Sequence, residues 1–437
     1  MAIRRSRFYS KVRSALKKLL LVYLIWTIIE AHRCHYRIAR AEREAAARTQ
    51  LIEPTRVYIA SLHWNNEDIL RSEWNRAVLD LARTLGANNV FVSVYESGSW
   101  DDTKGALREL DTELEAMGVA RRIVLDQQTH QDLITQPPTD EGWITIPDGT
   151  RMPRRIPYLS KLRNLSLQPL WELAENGTTF DQVLFLGDVV FTVSDVLNLL
   201  KTNNGRYAAA CSLDFSKPPY FYDTFALRDA RGHQYATQTW PYFRASQSRK
   251  AMMNAEPVPV SSCWNGIVAM PASAFAGIGG LRFRGIPDDL AAAHLEASEC
   301  CLIHADNPAS RPRGVFVNPA VRVGYDRKAY DAVHRNPAPP RRRRRRRRRD
   351  DDDGDHEEEE EDEDRGGGGS WLSLTEVFVG LWKNRLARWL TTPWFEEQEV
   401  RGRIERWARA GAGREEKGGF CVVDEMQIVV RNGWKHM

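Results

Sequence analysis

The chain has 437 residues, of which 42% are apolar and 27% are charged, and its formal net charge is +4. That length can bury a substantial core in one large domain or two smaller ones, so size does not exclude an enzyme. The charge is uneven: residues 1–29 carry seven Lys or Arg and no acid, while residues 341–364 carry nine Arg against thirteen acids. The remainder is close to neutral, which predicts that nucleic acid is not a partner.

The N-terminal segment combines positive charge with an apolar run, residues 19–29, which read LLLVYLIWTII. At 1.5 Å per residue the run covers roughly 16 Å, so it crosses a ~30 Å hydrocarbon core only if the helix extends to about Ala31 and its flanking lysines reach the headgroups. A cleaved signal peptide is the alternative, but the nearest small-x-small site, Ala39-Arg40-Ala41, lies ten residues beyond the run. We therefore predict a cytosolic basic tail (1–18), a transmembrane type II signal anchor (19–31) and a luminal body.

Strand-like and helical patterns alternate after a charged, Ala-rich stem at residues 32–54. The series contains strands near Val57–Leu62, Val90–Tyr95 and Arg122–Leu125, with amphipathic helical patterns between them. This alternation is typical of a parallel sheet wound with helices. We predict an α/β fold with a mostly parallel sheet and flanking helices over residues 55–336.

Residues 337–370 interrupt this pattern with nine consecutive Arg, an acidic block and four consecutive Gly. Such a segment has too little apolar surface to offset its chain entropy, so we predict a disordered insertion, with a polyanion-binding tract as the alternative. A helical, Trp-rich arm and a closing strand-like segment follow at residues 371–437.

The six cysteines show no spacing typical of a zinc site. In an oxidising lumen some of them would pair, and the five beyond the anchor and stem would leave at least one unpaired within a monomer. Glycosylation sequons at Asn164 and Asn176 suit a luminal body, and the turn at Asn176 makes it the better acceptor.

The most informative strand is Val183–Leu186, because Gly187 and then Asp188 follow it directly. A short apolar run after a turn is typical of a buried parallel strand, and an acid beyond its carboxyl end projects into the crevice where such sheets bind ligands. Enzymes that use a nucleotide-sugar keep their metal-binding acid at such a position. The alternative is a loop acid ahead of the helix that begins near Asp195.

Polar side chains follow the first two strands as well. Asn65 and Asn66 come after the first strand and Glu96 after the second. We expect these side chains at the same edge of the sheet, where they can form hydrogen bonds with a nucleotide base or with ribose hydroxyls. Arg163, on a helix predicted at Tyr158–Leu170, is either a diphosphate ligand or a surface cation.

Two further positions have both a simple and a functional interpretation. In Trp264-Asn265-Gly266 a Gly turn accompanies an aromatic ring that either lies under a sugar or is packed in the turn. Glu299 opens an apolar helix, where N-terminal capping is the simple explanation.

Ten short motifs, taken in chain order, carry a resemblance to a known family. They are SLHWNNEDIL, VFVSVYESGSWDDTK, YLSKLRN, FLGDVVF, PPYFYDTFALRD, SCWNG, LRFRGIPDD, SECCLIHADN, VNPAVRVGYD and DEMQIVVRNGW. The series resembles the fungal α-1,3-mannosyltransferases of glycosyltransferase family 69, the capsule-associated cryptococcal group, over about residues 55–330 and 420–437. The resemblance implies a GT-A-like fold and a Golgi membrane enzyme of cell-wall or capsule glycan synthesis. Such an enzyme would transfer mannose from GDP-mannose to a mannose-containing glycan acceptor with Mn²⁺ or Mg²⁺, and with retention because donor and product are both α-linked.

The resemblance also implies roles for particular residues. Asp188 takes the place of the metal-binding DxD motif, and Asp326 falls where many such enzymes have a metal-ligating His; both would be metal ligands. Glu299 and Asp289 are the candidate catalytic carboxylates beside an oxocarbenium-like sugar. The residues implied to bind the donor are Asn65, Asn66, Glu96, Arg163, Asn164, Asp214, Trp264, Asn265 and Gly266.

The triplet Gly187-Asp188-Val189 keeps only one acid of that motif, which leaves other functions open. One is a non-catalytic luminal scaffold of a glycan-assembly complex. Another is a membrane-anchored polyanion binder that uses Arg341–Arg349. Substitution of Asp188 and deletion of the Arg run would distinguish these functions from the enzyme.

Overall fold

The structure is a computed structural model that describes residues 2–47, 55–277, 279–334 and 370–437. Of the predicted insertion, only Ser370 is among them, so that prediction lies outside the described residues. The helices are α1 Ala2–Ala47, α2 Glu67–Ile69, α3 Asn75–Leu85, α4 Thr103–Ala116, α5 His130–Thr135, α6 Arg155–Glu175, α7 Val193–Leu200, α8 Ser246–Asn254, α9 Asp288–Ala291, α10 Glu299–Asp306, α11 Ser310–Arg313, α12 Arg327–Val333, α13 Leu374–Leu390 and α14 Trp394–Arg409. The strands are β1 Val57–His63, β2 Val90–Ser97, β3 Ala120–Asp126, β4 Trp143–Thr145, β5 Arg151–Pro153, β6 Gln182–Leu186, β7 Ala209–Lys217, β8 Tyr220–Phe221, β9 Arg228–Asp229, β10 Val258–Ser262, β11 Ile267–Pro271, β12 Glu296–Ala297, β13 Val315–Gly324, β14 Val422–Val423, β15 Gln427–Val430 and β16 Gly433–His436.

One central sheet contains ten strands in the order β3-β2-β1-β6-β11-β7-β13-β10-β9, with β8 beside β7. The strands β3, β2, β1 and β6 are parallel to one another, and β13 is parallel to β7. The strand β11 lies antiparallel between β6 and β7, and β10 and β9 are antiparallel additions at one edge. The predicted α/β fold with parallel strands and flanking helices is confirmed. The half of the sheet from β11 to β9 contains both parallel and antiparallel strand pairs.

Continuous apolar runs place the parallel strands in the middle layer of the molecule. Val57, Tyr58, Ile59 and Ala60 of β1 are all buried, because successive residues face opposite sides of the sheet and both sides are covered. Helices α3, α4 and α7 cover one face, while α6, α8 and α13 cover the other. Because β1 is parallel to both β2 and β6, the carboxyl ends of these three strands lie together at one edge of the sheet.

Helix α1 runs without interruption through the predicted anchor and into the predicted stem. It packs on the folded body from about its middle onward: Nη1 of Arg385 donates to Oγ1 of Thr27 at 2.8 Å. The Tyr23 ring meets the Trp382 ring edge-on, with centroids 5.2 Å apart. The residues that α1 buries are Thr27, Ala31, Cys34, Ile38 and Ala39.

Large apolar side chains between residues 16 and 29 of α1 remain exposed away from this contact. Within the described parts of the chain, none of the helices is long and apolar enough to span a lipid bilayer.

Two disulfides connect distant parts of the chain. Cys211–Cys263 joins β7 to the segment after β10, and Cys301–Cys421 joins α10 to the C-terminal segment. Cys34 and Cys300 are free and buried. Of the five cysteines beyond α1, one is thus unpaired, as the count predicts.

Candidate functional site

A cavity of about 140 Å³ lies where the polar residues after β1 and β6 meet. Strand β1 contributes its last residues, α6 contributes a cationic side chain, and the ends of β6 and β13 close the sides. The lining residues with polar or aromatic side chains are Ser61, Arg163, Ser166, Phe185, Asp188, Asp223, Trp264 and Tyr325.

Asp188 lines this cavity, directly after β6. Its Oδ2 accepts a hydrogen bond from Nδ2 of Asn66 at 3.0 Å, so the segments after β1 and β6 are in contact. Burial raises the pKa of Asp188, and the hydrogen bond from Asn66 and the charge of Arg163 oppose that rise in part. Helix α7 is capped by Thr192 and Asp195, so Asp188 has no capping role there.

Two glycines allow β6 and β11 to approach closely beside Asp188. The N–H of Gly187 donates to the carbonyl of Gly266 at 2.9 Å. Gly266 has φ +82°, and a Cβ on it would lie 2.4 Å from Cγ2 of Val323. Only glycine fits there without displacing β13.

Asn265 is fully buried and connects two carboxylate-bearing segments. Its Nδ2 donates to Oδ1 of Asp214 at 2.7 Å and to the carbonyl of Asp223 at 3.1 Å. Asp214 also accepts from the Tyr325 hydroxyl at 3.0 Å. Burial, together with the neighbouring charge of Asp223, raises the pKa of Asp214 to about 6. Asp214 and Asn265 therefore position Asp223 and Tyr325, which line the cavity.

Arg163, which lines the cavity, forms an ion pair with Glu299, which lies behind it and does not line the cavity. Nε of Arg163 donates to Oε1 of Glu299 at 2.9 Å, and the Glu299 side chain is only 3% exposed. The guanidinium lies over the Trp264 ring, 4.7 Å from its centroid. The structure thus brings together Arg163, Trp264 and Glu299, which the sequence assigned to one site.

Asn65 and Glu96 border the cavity without lining it. Asn65 adopts φ +54°, and its Oδ1 accepts from the Trp100 N–H at 2.8 Å. The Glu96 side chain is fully buried and pairs with Lys104 at 3.1 Å. Both residues therefore shape the loops beside Asn66.

Three other residues predicted for the site make different contacts. Asn164 exchanges hydrogen bonds of 2.8 and 2.9 Å with the backbone of Phe283, so its amide joins α6 to a loop. Asp289, on α9, pairs with Arg414 at 2.6 Å. Asp326 is exposed and caps α12 by accepting from a backbone N–H at 2.6 Å.

The site residues predicted from the sequence did not include Asp223 and Tyr325, although both lie in the motifs PPYFYDTFALRD and VNPAVRVGYD. Tyr325 immediately precedes Asp326, and only the tyrosine faces the cavity. The prolines at 218 and 219 signal the turn that brings Asp223 back toward the sheet.

The model for the family described as cryptococcal mannosyltransferase 1 matches residues 56–306, more than half of the chain. The chain belongs to this family. The α-1,3-mannosyltransferase CMT1 of Cryptococcus neoformans var. neoformans serotype D is 28% identical over 263 residues, which are 56% of this chain and 53% of that protein. The chain thus matches about half the length of this cryptococcal mannosyltransferase. With the exception of Tyr325, the cavity residues lie inside the range that matches the family.

Two solved structures are matched at low similarity. The mannosyltransferase PcManGT from Pyrobaculum calidifontis, in complex with GDP-Man and Mn²⁺, is 12% identical over 71% of each chain, with a TM-score of 0.34. GalNAc-T7 with UDP, GalNAc and Mn²⁺ is 11% identical over 62% of this chain and 43% of that one, with a TM-score of 0.35. At TM-scores below 0.5, neither structure assigns a mechanism to this chain.

Proposed function

We propose that this protein transfers mannose from GDP-mannose to a mannose-containing glycan acceptor, in α-1,3 linkage and with retention, on a GT-A-like fold. Membership of the cryptococcal mannosyltransferase family supports mannosyl transfer. The observation that carries the proposal is the strand-end cavity in which Asp188 and Arg163 both present charged groups. Opposite charges at one cavity suit a donor that has both a diphosphate and a bound cation.

The carboxylates at the cavity suit a hard divalent cation, either Mn²⁺ or Mg²⁺. Asp188 and Asp223 both line the cavity, and such ions prefer carboxylate oxygens. Oδ1 of Asp223 accepts two backbone N–H groups, while no donor from the described residues reaches its Oδ2. We assign Asp188 and Asp223 as the residues that hold the cation, which when bound would stabilise charge on the leaving diphosphate.

Arg163, at the cavity, and Glu299, behind it, have complementary tasks. Arg163 can donate to a phosphate oxygen, since its guanidinium has five N–H groups and Glu299 takes one. Glu299 then provides a carboxylate for the positively charged transition state of the sugar. Retention is compatible with Glu299 as the nucleophile or with acceptor attack from the leaving-group face.

Golgi localisation is the second part of the proposal: residues 19–31 anchor the chain as a single-pass type II membrane protein with a luminal body. The exposed apolar side chains of α1, the basic residues before them and the two disulfides support it. A membrane-spanning α1 requires Tyr23 and Thr27 to leave their contacts with α13. We expect alkaline carbonate to leave the full chain in the membrane pellet. Release into the supernatant would contradict the anchor.

The test is transfer by the full chain in detergent, with GDP- and UDP-sugars, a panel of mannosides and detection of products by mass spectrometry. We expect a mannosylated product from GDP-mannose only, lost with EDTA and restored by Mn²⁺. Equal affinity for GDP with and without EDTA, measured by calorimetry, would contradict the metal site. Donor binding without any transfer would favour the non-catalytic scaffold.

A further inference from the structure

The hairpin of β15 and β16 packs beside the site, although it lies outside the range that matches the family. Oε1 of Gln427 accepts from Nη1 of Arg155 at 2.6 Å. The Trp434 ring stacks against the same guanidinium, with 3.8 Å between Cζ and the ring centroid. The hairpin is therefore fixed to the first turn of α6, the helix that carries Arg163.

Arg155 connects this hairpin to the carboxylates of the site. Its guanidinium interacts electrostatically with Glu299 and Asp223, which also surround Arg163. Its Nε is buried and has no hydrogen-bond partner among the described residues. A buried N–H without a partner costs free energy unless a ligand or water accepts from it. Arg155 thus has one unsatisfied donor and lies within electrostatic range of Glu299.

Trp434 gives this position an apolar platform. The side chain is 46% exposed although it is large and lies next to a polar site, and the contact with Arg155 fixes its orientation. A sugar ring presents C–H groups on its faces, so the exposed face of the indole, opposite the face that the guanidinium covers, matches the apolar face of a sugar.

We propose that Trp434 and Arg155 form the subsite for the acceptor mannoside, an inference that rests on the proposed function. The exposed face of the Trp434 ring packs against the apolar face of the acceptor sugar, while Arg155, stacked on the other face, holds the ring in place. This arrangement holds the acceptor next to Glu299, on the side of the cavity toward the hairpin. The C-terminal segment then determines acceptor specificity, while the strand ends bind the donor.

The test compares Trp434→Ala and Trp434→Phe with Trp389→Ala, an exposed Trp on α13, in the full chain with an α-1,3-linked mannobiose as acceptor. We expect Trp434→Ala to raise the acceptor KM about tenfold with the GDP-mannose KM unchanged, and Trp434→Phe to restore most of the loss. Trp389→Ala should match the wild type. An unchanged acceptor KM in Trp434→Ala, or an equal rise in both KM values, would overturn the subsite.

A binding measurement separates this inference from the proposed function. Saturation-transfer NMR with the mannobiose alone should show binding by the wild type and its loss in Trp434→Ala and in Arg155→Lys, which keeps the charge but lacks the planar guanidinium that stacks on the Trp434 ring. That result supports the subsite even if no transfer is detected. Transfer by the wild type, with mannobiose contacts unchanged in both variants, would overturn the subsite and leave the function intact. Thermal unfolding of Arg155→Lys verifies that the variant is folded.

Discussion

Asp188 has three properties that make it the most testable residue of the site: it lines the cavity half-buried, it follows a strand end, and Asn66 donates to it. Asp188→Ala should lower turnover by at least about a hundredfold, because losing a metal ligand removes transition-state stabilisation on the order of 3 kcal/mol. The exposed Asp331 of α12 provides the control, as Asp331→Ala. Near-normal activity in a variant that is folded by circular dichroism would remove Asp188 from the site.

Asp326 allows the sequence-based metal assignment to be tested without damage to the fold. Asn is as good an N-cap as Asp, so Asp326→Asn should preserve α12. Since Asp326 is exposed and only its neighbour lines the cavity, we expect activity and Mn²⁺ dependence close to those of the wild type. If Asp326 were a metal ligand, the variant would need several-fold more Mn²⁺ for half-maximal activity.

His304 makes the stability of the protein depend on pH. Burial lowers its pKa to about 4, while Nε2 contacts the Cys263 carbonyl at 2.8 Å. As the pH falls, the unfolded chain takes up this proton at its ordinary pKa near 6.5, before the folded protein does. Stability should therefore fall between about pH 6.5 and about pH 4, by up to roughly 3 kcal/mol for this residue. His304→Gln should flatten that dependence in urea unfolding, and a profile identical to that of the wild type would contradict the assignment.

Asp188 could be located from the sequence because a strand end is visible as an apolar run followed by an acid. Asp223 and Tyr325 could not be found by that argument. Their positions depend on how β7 and β13 pair across more than a hundred residues of chain. The position of Trp434 beside the site could not be predicted from the sequence either, since only tertiary packing brings the hairpin to α6.

The contact between β6, β11 and β13 depends on Gly266. Gly266→Ala places a methyl group 2.4 Å from Val323 and forces alanine into φ +82°, so it should cost about 2–4 kcal/mol. Gly149→Ala is the matched control, because Gly149 has φ +88° with nothing within 4 Å of the added Cβ. That variant should lose only about 1 kcal/mol in urea unfolding. Equal losses in the two variants would show that φ alone matters and that the contact does not.

The elements themselves were predictable to different degrees. The parallel half of the sheet was visible in the sequence, because strands covered on both faces have unbroken apolar runs and are separated by helical patterns. Strand β11 has a similar apolar run, yet it is antiparallel to β6. Strand direction depends on the path of the connecting chain, which composition does not encode.

The insertion separates two parts of the chain that pack together. Deleting Pro337–Gly369 and joining the ends with a short Gly/Ser linker should leave donor specificity and turnover largely unchanged. Loop length changes the closure entropy only logarithmically, so the free energy of unfolding should shift by no more than about 1 kcal/mol. A donor KM that rises steeply at low salt and less at high salt would instead place Arg341–Arg349 at the diphosphate.

The Cys301–Cys421 disulfide has a consequence for the integrity of the chain, because it spans the insertion. If a protease cut the backbone at any bond between residues 335 and 369, the product would be two polypeptides held covalently together. Such a nicked protein would migrate as one band without reductant and as two with it. Its C-terminal fragment, which carries Trp434, would stay beside α6, so a two-chain form of the protein should still bind its acceptor until the disulfide is reduced.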